Sequence, residues 1–233
     1  MMTTMKPATG AEERSLRLPF EGRTQAGQLL AQAMRGAYAG RNDTLVLALP
    51  RGGVPVAFEI VKAIGAPLDL MIVRKLGTPG QPELAMGAIA AGVQLLNRDI
   101  VESMGISPAA IEAVARRERK ELERRQRAYR GDRPEPEFKN RCVMLVDDGL
   151  ATGATMRTAV KALREHAPAS VVVAVPVAPP STVELLRGEA DEVVCLATPE
   201  PFWAIGQWYR EFPQVSDDEV TELLQRAWER SCG

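Results

Sequence analysis

The run CVMLVDDGLATGATM, which begins at Cys142 and ends at Met156, constrains the fold more than any other part of this sequence. It opens with a short apolar stretch and then two acids, as in a strand buried on both faces of a parallel sheet. A loop of small residues and hydroxyls follows, and residues 156–164 have helical character. This order predicts an anion-binding turn, because backbone N–H groups, hydroxyls and a helix dipole converge there.

Two adjacent carboxylates, Asp147 and Asp148, stand in this loop, where they would repel a bare phosphate. They make chemical sense if the ligand also carries neighbouring hydroxyl groups, since carboxylates accept hydrogen bonds from hydroxyls. Consecutive strand side chains point to opposite faces, so both acids reach one ligand only if the strand ends there. We therefore expect a sugar phosphate of the ribose 5-phosphate kind. A plain strand-turn-helix, capped by Asp148 or Thr152, would not explain two acids and two threonines in one loop.

A second strand-loop-helix unit precedes this one in the chain. Residues 44–49 are apolar, the sequence Pro-Arg-Gly-Gly follows with Arg51 in it, and a helical pattern covers residues 54–64. Residues 68–73 predict another strand, which Arg74 and Lys75 follow directly. Because the carboxyl ends of parallel strands lie at one edge of a sheet, these three cations are expected on one rim with the two acids.

The other elements are predicted from periodicity, β-branching and turn residues. We expect an edge strand at 16–20, a helix at 24–38, a mobile loop at 76–83, a strand pair at 85–96, a charged helix at 108–130, strands at 170–177 and 192–197, a helix at 181–186 capped by Ser181, and a final helix capped by Ser216. The charged helix is interpreted as a solvated face with pairs such as Glu121 with Arg125.

Composition narrows the class of protein. The 233 residues carry a formal net charge of −1, which gives no support to a nucleic-acid or membrane partner. The first residues lack the apolar core of a secretory signal, and no stretch is long enough to span a membrane, so we expect a cytoplasmic protein. With one histidine and three scattered cysteines, a Ser/His/Asp hydrolase or a metal site built on these residues is not expected.

The apolar run, the Asp-Asp pair, two spacers and the sequence Ala-Thr-Gly-Ala-Thr closely resemble the signature of type I phosphoribosyltransferases. The segment LPRGGVP at residues 49–55 resembles the pyrophosphate loop of that family, and Arg74-Lys75 resembles the basic pair before its flexible lid. The likeness covers roughly residues 44–209. It is greatest to bacterial predicted phosphoribosyltransferases of unassigned acceptor.

The resemblance implies an α/β fold with a mostly parallel sheet and helices on both faces, a small hood and a C-terminal helix. A disordered tail is expected at 1–15, and a single domain at 16–233. Within that domain, residues 76–97 would form a lid and residues 198–233 the hood and last helix. Many members of the family are dimers, so a homodimer is expected by resemblance alone.

The resemblance also implies a reaction, in which phosphoribosyl diphosphate donates its ribosyl group to a nitrogenous base or amine and releases pyrophosphate, with Mg²⁺ as cofactor. The implied residues are catalytic Arg51, Arg74 and Lys75; the pyrophosphate loop Arg51, Gly52 and Gly53; the donor-binding Asp147, Asp148, Gly149, Ala151, Thr152, Gly153, Ala154 and Thr155; and Asp147 and Asp148, directly or indirectly, for the metal. Hypoxanthine-guanine enzymes carry an aspartate where Ala151 stands, so a 6-oxopurine acceptor is disfavoured and adenine stays open.

Aromatic residues concentrate at residues 201–209, after the last expected strand. By likeness to purine enzymes, Trp203, with Phe202 beside it, would stack on the acceptor. The alternative is that these rings pack against the final helix, where Leu223, Leu224 and Trp228 need partners.

Two other functions remain open at this point. One is a regulator that senses phosphoribosyl diphosphate or nucleotides on the same fold, and the other is an enzyme that only hydrolyses phosphoribosyl diphosphate. Cations on the pyrophosphate side favour the transferase, because a sensor of ribose 5-phosphate groups could dispense with them.

Overall fold

The computed structural model describes residues 16–231, so the tail expected at 1–15 lies outside the described residues. The helices are α1 (Arg23–Tyr38), α2 (Gly53–Ile64), α3 (Arg98–Ser103), α4 (Pro108–Arg130), α5 (Ala154–Arg164), α6 (Pro180–Arg187) and α7 (Asp217–Ser231), with a 3-10 helix at Ile205–Trp208. The strands are β1 (Thr44–Ala48), β2 (Leu68–Leu70), β3 (Val73–Thr78), β4 (Gln81–Ala90), β5 (Val93–Leu96), β6 (Cys142–Val146), β7 (Ser170–Val177) and β8 (Glu192–Ala197).

Five strands form a parallel sheet in the order β2-β1-β6-β7-β8, and β3-β4-β5 form a small antiparallel sheet. Alternate residues of the central strands enter two different cores. Val46 and Met144 pack with α1 and α2, whereas Leu45 and Leu145 pack with α5 and α6. The α/β fold with helices on both faces is therefore confirmed, and β6 is buried throughout because it lies at the centre of the sheet.

The strand order places a topological switch point between β1 and β6. After β1 the chain runs outward through α2 to β2, and it later returns to the other side of β1 as β6. The two loops that leave β1 and β6 consequently diverge to opposite faces. A crevice opens between such loops at the carboxyl edge, and this is where ligands bind in open α/β sheets.

The strand expected at residues 68–73 is wrong in its extent. The parallel ladder stops after β2, where the Met71 N–H donates to the Ala48 carbonyl at 2.9 Å, and the chain then leaves to begin β3. Leu76 and Met86 bury their side chains on the small sheet, which draws the chain away from the parallel one. Arg74 therefore lies inside an antiparallel strand and does not follow the end of a parallel one.

The irregular loop expected at residues 76–83 is a hairpin instead, and its mobility stays a prediction. These residues form the end of β3, a turn with Gly80 in a left-handed conformation (φ 81°), and the start of β4. The strand pair expected at 85–96 is present as β4 and β5. The flexible-lid segment is thus a three-stranded sheet from Val73 to Leu96.

Some of the shorter elements and caps differ from those predicted. The 16–20 strand is reduced to one isolated bridge between Phe20 and Tyr209, and α6 begins at Pro180 with Pro179 as its cap, so Ser181 is not the cap. The helix α3 was not anticipated. By contrast, α4 has its expected bounds, and Ser216 Oγ accepts from the Glu219 N–H at 3.1 Å at the start of α7.

No helix among residues 16–231 is long and apolar enough to cross a membrane.

A buried ion pair fastens the end of α4 to the edge strand β2. Arg130 Nε lies 2.6 Å from Asp69 Oδ1, and Arg130 Nη2 donates to the Leu70 carbonyl at 3.2 Å. Both residues are less than a tenth exposed. Burial raises the pKa of Asp69, and the guanidinium of Arg130 opposes that rise. The charge on Asp69 is therefore tolerated because Arg130 is present.

Arg130→Ala should lower the free energy of unfolding by about 3–5 kcal/mol, because it leaves Asp69 buried without its partner. The matched control is Arg187→Ala, which removes an exposed arginine from a helix end and should cost less than about 1 kcal/mol. Urea unfolding of both variants measures the difference. Equal effects would mean that the pair does not hold α4.

Candidate active site

The loops that leave β1 and β6 touch at the carboxyl edge of the sheet. The Leu49 N–H donates to the Val146 carbonyl at 2.8 Å. A Cβ added to Gly52 would lie 2.0 Å from Asp148 Oδ2, and one added to Gly53 would lie 2.6 Å from the Val146 oxygen. Only glycine permits this approach, since no side chain fits between the two loops. The segment that resembles a pyrophosphate loop is thus held directly beside the acid pair.

The peptide bond between Pro50 and Arg51 is cis, and α2 begins two residues after Arg51. Arg51 is partly exposed, and its Nη1 lies 3.9 Å from Asp217 Oδ1 at the start of α7. This contact is too long for a strong hydrogen bond, so the guanidinium is able to exchange Asp217 for an anionic ligand.

The small-residue loop after β6 is hydrogen-bonded to β7 and α6 on one side and exposed to solvent on the other. The Leu150 N–H donates to the Val177 carbonyl at 2.9 Å, and Thr182 Oγ1 donates to the Ala151 carbonyl at 2.7 Å. Gly153 takes a left-handed conformation (φ 70°), and a Cβ there would meet Thr182 Cγ2 at 2.7 Å. Both its dihedral angle and its neighbour therefore require glycine at this position.

The front of the same loop faces solvent. Thr152, Ala154 and Thr155 are exposed, and Thr152 Oγ1 accepts from the Ala154 N–H at 3.4 Å. Helix α5 begins at Ala154, so its first N–H groups have no carbonyl partner within the helix. Two hydroxyls and several amides are consequently available to an anion at a helix N-terminus.

The two acids have different surroundings. Asp148 is buried and accepts from Arg23 Nε at 2.7 Å, whereas Asp147 is half-buried and its Oδ1 accepts from the Asp148 N–H at 2.8 Å. Burial, and then the charge of Asp148, raise the pKa of Asp147 well above its usual value. Burial also raises the pKa of Asp148, against the effect of Arg23. One guanidinium thus faces two carboxylates, and a hydroxyl donor or a cation at Asp147 would stabilise the pair.

Arg23 connects the acids to the segment after the last strand. Its Nη1 donates to the Pro213 carbonyl at 2.6 Å, and its guanidinium carbon lies 3.8 Å from the centre of the Phe212 ring. Phe212 stacks on Tyr209 with a centroid distance of 4.9 Å, and the Tyr209 hydroxyl donates to the Asp148 carbonyl at 2.5 Å. The side chain and the backbone of Asp148 are therefore both fixed by residues far away in the sequence.

Arg23 and the role of Tyr209 were not predicted from the sequence. Arg23 stands at the start of an alanine-rich helix with no motif around it, and its partner is 125 positions away. The aromatic cluster at residues 201–209 did point to Tyr209, although as part of an acceptor surface. Neither contact leaves a local pattern in the sequence.

The other two expected cations are divided by the pleat of β3. Arg74 points to α4, where its Nη2 lies 2.6 Å from Glu118 Oε2. Lys75 is exposed and lines a cavity with Ala154 and Thr155 of the small-residue loop. The structure therefore brings Lys75 to the edge of the small-residue loop and pairs Arg74 with Glu118.

The alternative for the aromatic cluster, packing against the final helix, differs from the observed contacts. Phe202 lies against Trp208 at a centroid distance of 5.9 Å, within the cluster of Phe20 and Tyr209, and Trp228 of α7 instead donates to the Leu68 carbonyl. Trp203 is 82% exposed. Its ring is thus accessible to a ligand, and its acceptor role stays a prediction.

Within residues 16–231, no group of three or more histidine, cysteine, aspartate or glutamate side chains is placed to hold a metal. The acid pair offers two carboxylates only. This suits a hard cation such as Mg²⁺, which proteins commonly hold through one or two carboxylates while ligand phosphates and water complete its shell.

Comparison with known proteins gives one consistent set of relatives. The family model for the phosphoribosyl transferase domain matches residues 23–210. Two Mycobacterium tuberculosis proteins, from strains CDC 1551 and H37Rv and each named as a candidate phosphoribosyl transferase, are 50% identical over 209 residues, which is 89% of this chain and 47% of theirs. The chain thus spans about half the length of the curated relatives that it matches.

A solved structure is similar along its whole length. The crystal structure of the protein TT1426 from Thermus thermophilus is 42% identical in sequence, with a TM-score of 0.78, and the likeness covers 90% of this chain and 99% of that chain. The arrangement of the parallel sheet is therefore shared with a protein of known structure.

Asp147→Asn should raise the melting temperature at neutral pH by a few degrees, roughly what a stabilisation of 1–2 kcal/mol gives in a chain of this size. Since the folded state raises the pKa of Asp147, stability falls as pH rises from the unfolded pKa through the folded one. Asparagine removes the charge and keeps the acceptor for the Asp148 N–H. The gain should shrink as pH is lowered, because the wild-type carboxyl is then protonated.

Calorimetric melting across pH measures this effect. The control is Asp43→Asn at an exposed site, where Arg41 lowers the pKa of the carboxylate. No rise in melting temperature is expected for this variant. If Asp147→Asn melts at the wild-type temperature throughout, the two acids do not repel each other as their burial indicates.

Arg23→Met should reduce the preference for ribose 5-phosphate over inorganic phosphate by about tenfold, equivalent to about 1.4 kcal/mol. The reason is that Asp148 and its neighbour lose their orientation while the phosphate loop keeps its own supports. Arg23→Lys should recover part of the preference, because it restores the charge but cannot reach Asp148 and Pro213 together.

Isothermal titration below the melting temperature provides both affinities, and Arg41→Lys, which alters an exposed pair, serves as the control. If Arg23 had a purely structural role, Arg23→Met would weaken the binding of both ligands equally or of neither. Either result would overturn this assignment.

Proposed function

The chain belongs to the phosphoribosyl transferase domain family, and we propose that it transfers a phosphoribosyl group from phosphoribosyl diphosphate to a nitrogenous base or amine, with release of pyrophosphate. The observation that carries the proposal is the direct contact of Gly52 and Gly53 with the Asp147–Asp148 loop across the switch point. A ligand that spans both loops would meet Arg51 and the glycines at one end and the two acids in its middle, and this arrangement suits anionic groups and hydroxyls at those places.

The donor would bind in three parts. Its 5′-phosphate would lie on the amides and hydroxyls of the 152–155 loop, and its ribose hydroxyls would donate to Asp147. Asp148 would act mainly through Arg23, since its Oδ2 already accepts from that residue. The diphosphate would lie on the glycine loop after β1, with Arg51 beside it.

The transfer replaces one bond at C1 of the ribose by another. The C1–O bond to the diphosphate breaks, and its electron pair leaves with pyrophosphate. The lone pair of the acceptor nitrogen forms the C1–N bond, and that nitrogen then releases a proton to solvent. Arg51 would stabilise the leaving group, whose negative charge grows as the bond breaks. Lys75 lines a cavity with Ala154 and Thr155, so its charge would act at the 5′-phosphate.

Arg74 is not expected to touch the ligand in this arrangement, because Glu118 holds its guanidinium on α4. It would act on the site through Lys75, its neighbour in β3, by fixing the strand against α4. We therefore propose a positioning role for Arg74 and a direct role for Lys75.

Mg²⁺ fits the acid site, since burial, and then the charge of Asp148, raise the pKa of Asp147, and the ion pair of Arg23 is with Asp148. Asp147 would hold it, with Asp148 nearby. When bound, the ion would neutralise the diphosphate and polarise its oxygens.

The acceptor would be flat and would lie near the exposed ring of Trp203, with Phe202 packed beneath that segment as a support. Ala151 offers no group that takes up a proton, so an acceptor that needs an aspartate there is disfavoured. A homodimer and a cytoplasmic location stay predictions.

Arg51→Ala should lower the rate of pyrophosphate release by about 100-fold, as expected for removal of one group that stabilises transition-state charge. Its affinity for ribose 5-phosphate should change less than about threefold, because that ligand lacks the diphosphate. The assay supplies phosphoribosyl diphosphate, Mg²⁺ and a panel of bases and amines, with Arg41→Ala as an exposed arginine control.

Three outcomes decide between the open functions. Release that depends on one acceptor supports the transferase, and release without any acceptor identifies a hydrolase. Tight binding of the donor without release identifies a sensor. An Arg51→Ala variant with the wild-type rate would show that the diphosphate lies elsewhere.

A further inference from the structure

A groove of about 560 Å³ separates the outer face of α5 from the small antiparallel sheet. Thr158 and Lys161 of α5 form one wall, Val73 and Leu95 belong to the opposite wall, and the start of α3 closes one end. This volume lies within the range of about 300–1,000 Å³ typical of small-molecule sites. The groove borders the phosphate loop at Thr155 but contains neither acid of the active site.

Small residues keep the groove open. Ala85, Gly87 and Ala88 of β4 line it on the sheet side, and Ala154 lines it on the helix side. Gly87 has no room for a side chain, because a Cβ there would lie 2.3 Å from the Leu95 carbonyl oxygen. The sheet therefore presents a surface of short side chains to α5, and the space between them is not filled by the protein's own groups.

The groove carries an excess of positive charge. Lys75, Arg98 and Lys161 line it with a single carboxylate, Asp99. Among residues 16–231, no carboxylate lies within ion-pair distance of Lys75 or Arg98, and Lys161 shares Glu189 with Arg157, which holds that carboxylate more closely (2.6 Å against 3.7 Å). Cations gathered around one space repel each other, and an anion placed between them would remove that repulsion.

The groove is also partly apolar. Val73, Leu95 and Leu96 line it beside the alanines, and Leu96 is 41% exposed. Inorganic phosphate or pyrophosphate would satisfy the cations but leave these side chains in water. A ligand that combines phosphates with an apolar ring would satisfy both parts.

We propose that this groove binds a nucleoside di- or triphosphate, with its phosphates on Lys75, Arg98 and Lys161 and its base on the apolar wall of the small sheet. This site lies beside the donor site and does not depend on the proposed function.

The test is a titration of ADP into the full chain by calorimetry, with and without saturating ribose 5-phosphate. We expect ADP to bind in both conditions, more tightly than pyrophosphate does. Arg98→Ala combined with Lys161→Ala should weaken ADP at least about tenfold and leave ribose 5-phosphate unchanged. The matched control is Arg35→Ala combined with Lys62→Ala, which removes two exposed positive charges from α1 and α2 and should change neither affinity.

Two results would overturn the proposal: ADP displaced completely by ribose 5-phosphate, or ADP bound equally well by the wild type and the Arg98/Lys161 variant. If the proposed function fails instead, the pattern of binding differs from both of these results. In that case ribose 5-phosphate would not bind to the wild type, while ADP would still respond to the Arg98/Lys161 variant.

Discussion

The site depends on the close approach of two loops at the centre of the sheet. Gly52 lies against the carboxylate of Asp148, and Gly53 lies against the carbonyl of Val146. Parallel pairing of β1 with β6 brings the two strand ends level, and the absence of side chains lets the loops touch. Glycine is required at these two positions for lack of space and not for backbone freedom, because a Cβ on Gly52 or Gly53 would collide with the opposite loop. The small-residue loop after β6 and the loop that carries Arg51 thereby become two sides of one crevice.

The second constraint is the balance of charge inside that crevice. Two carboxylates and one guanidinium are enclosed together, and burial raises the pKa of both acids. Arg23 satisfies Asp148 and leaves Asp147 facing the ligand side with less compensation. A site of this kind is less stable empty than filled, as is usual where a protein holds charges ready for a ligand. The packing of the surrounding sheet, whose central strands are fully buried, offsets this loss of stability.

Much of this arrangement could be predicted from the sequence, and the failures have two causes. The buried strands, the long helix α4 and the two loops all carry local signals, namely β-branched runs, helical periodicity and glycines. The small sheet was missed at residues 76–83 because proline and glycine indicate a turn equally well in a hairpin and in a loop. The pairing of Arg74 with Glu118, and of Arg23 with Asp148, joins residues 44 and 125 positions apart, and no local pattern records such contacts.

The hydrogen bonds that join the segment before α1 to the segment after β8 have a consequence for motion. The Phe20 N–H donates to the Trp208 carbonyl, and the Arg210 N–H donates back to the Phe20 carbonyl, both at 2.8 Å. Arg23 follows Phe20 by three residues and pairs with Asp148. Separation of the segment around Phe20 from residues 208–210 would therefore also disturb the acid pair. The amides of Arg210 and Glu211, which donate to the Phe20 and Glu21 carbonyls, should therefore exchange with solvent more slowly than unbonded loop amides. The exposed Trp203 takes part in none of these hydrogen bonds, so its motion does not require them to break.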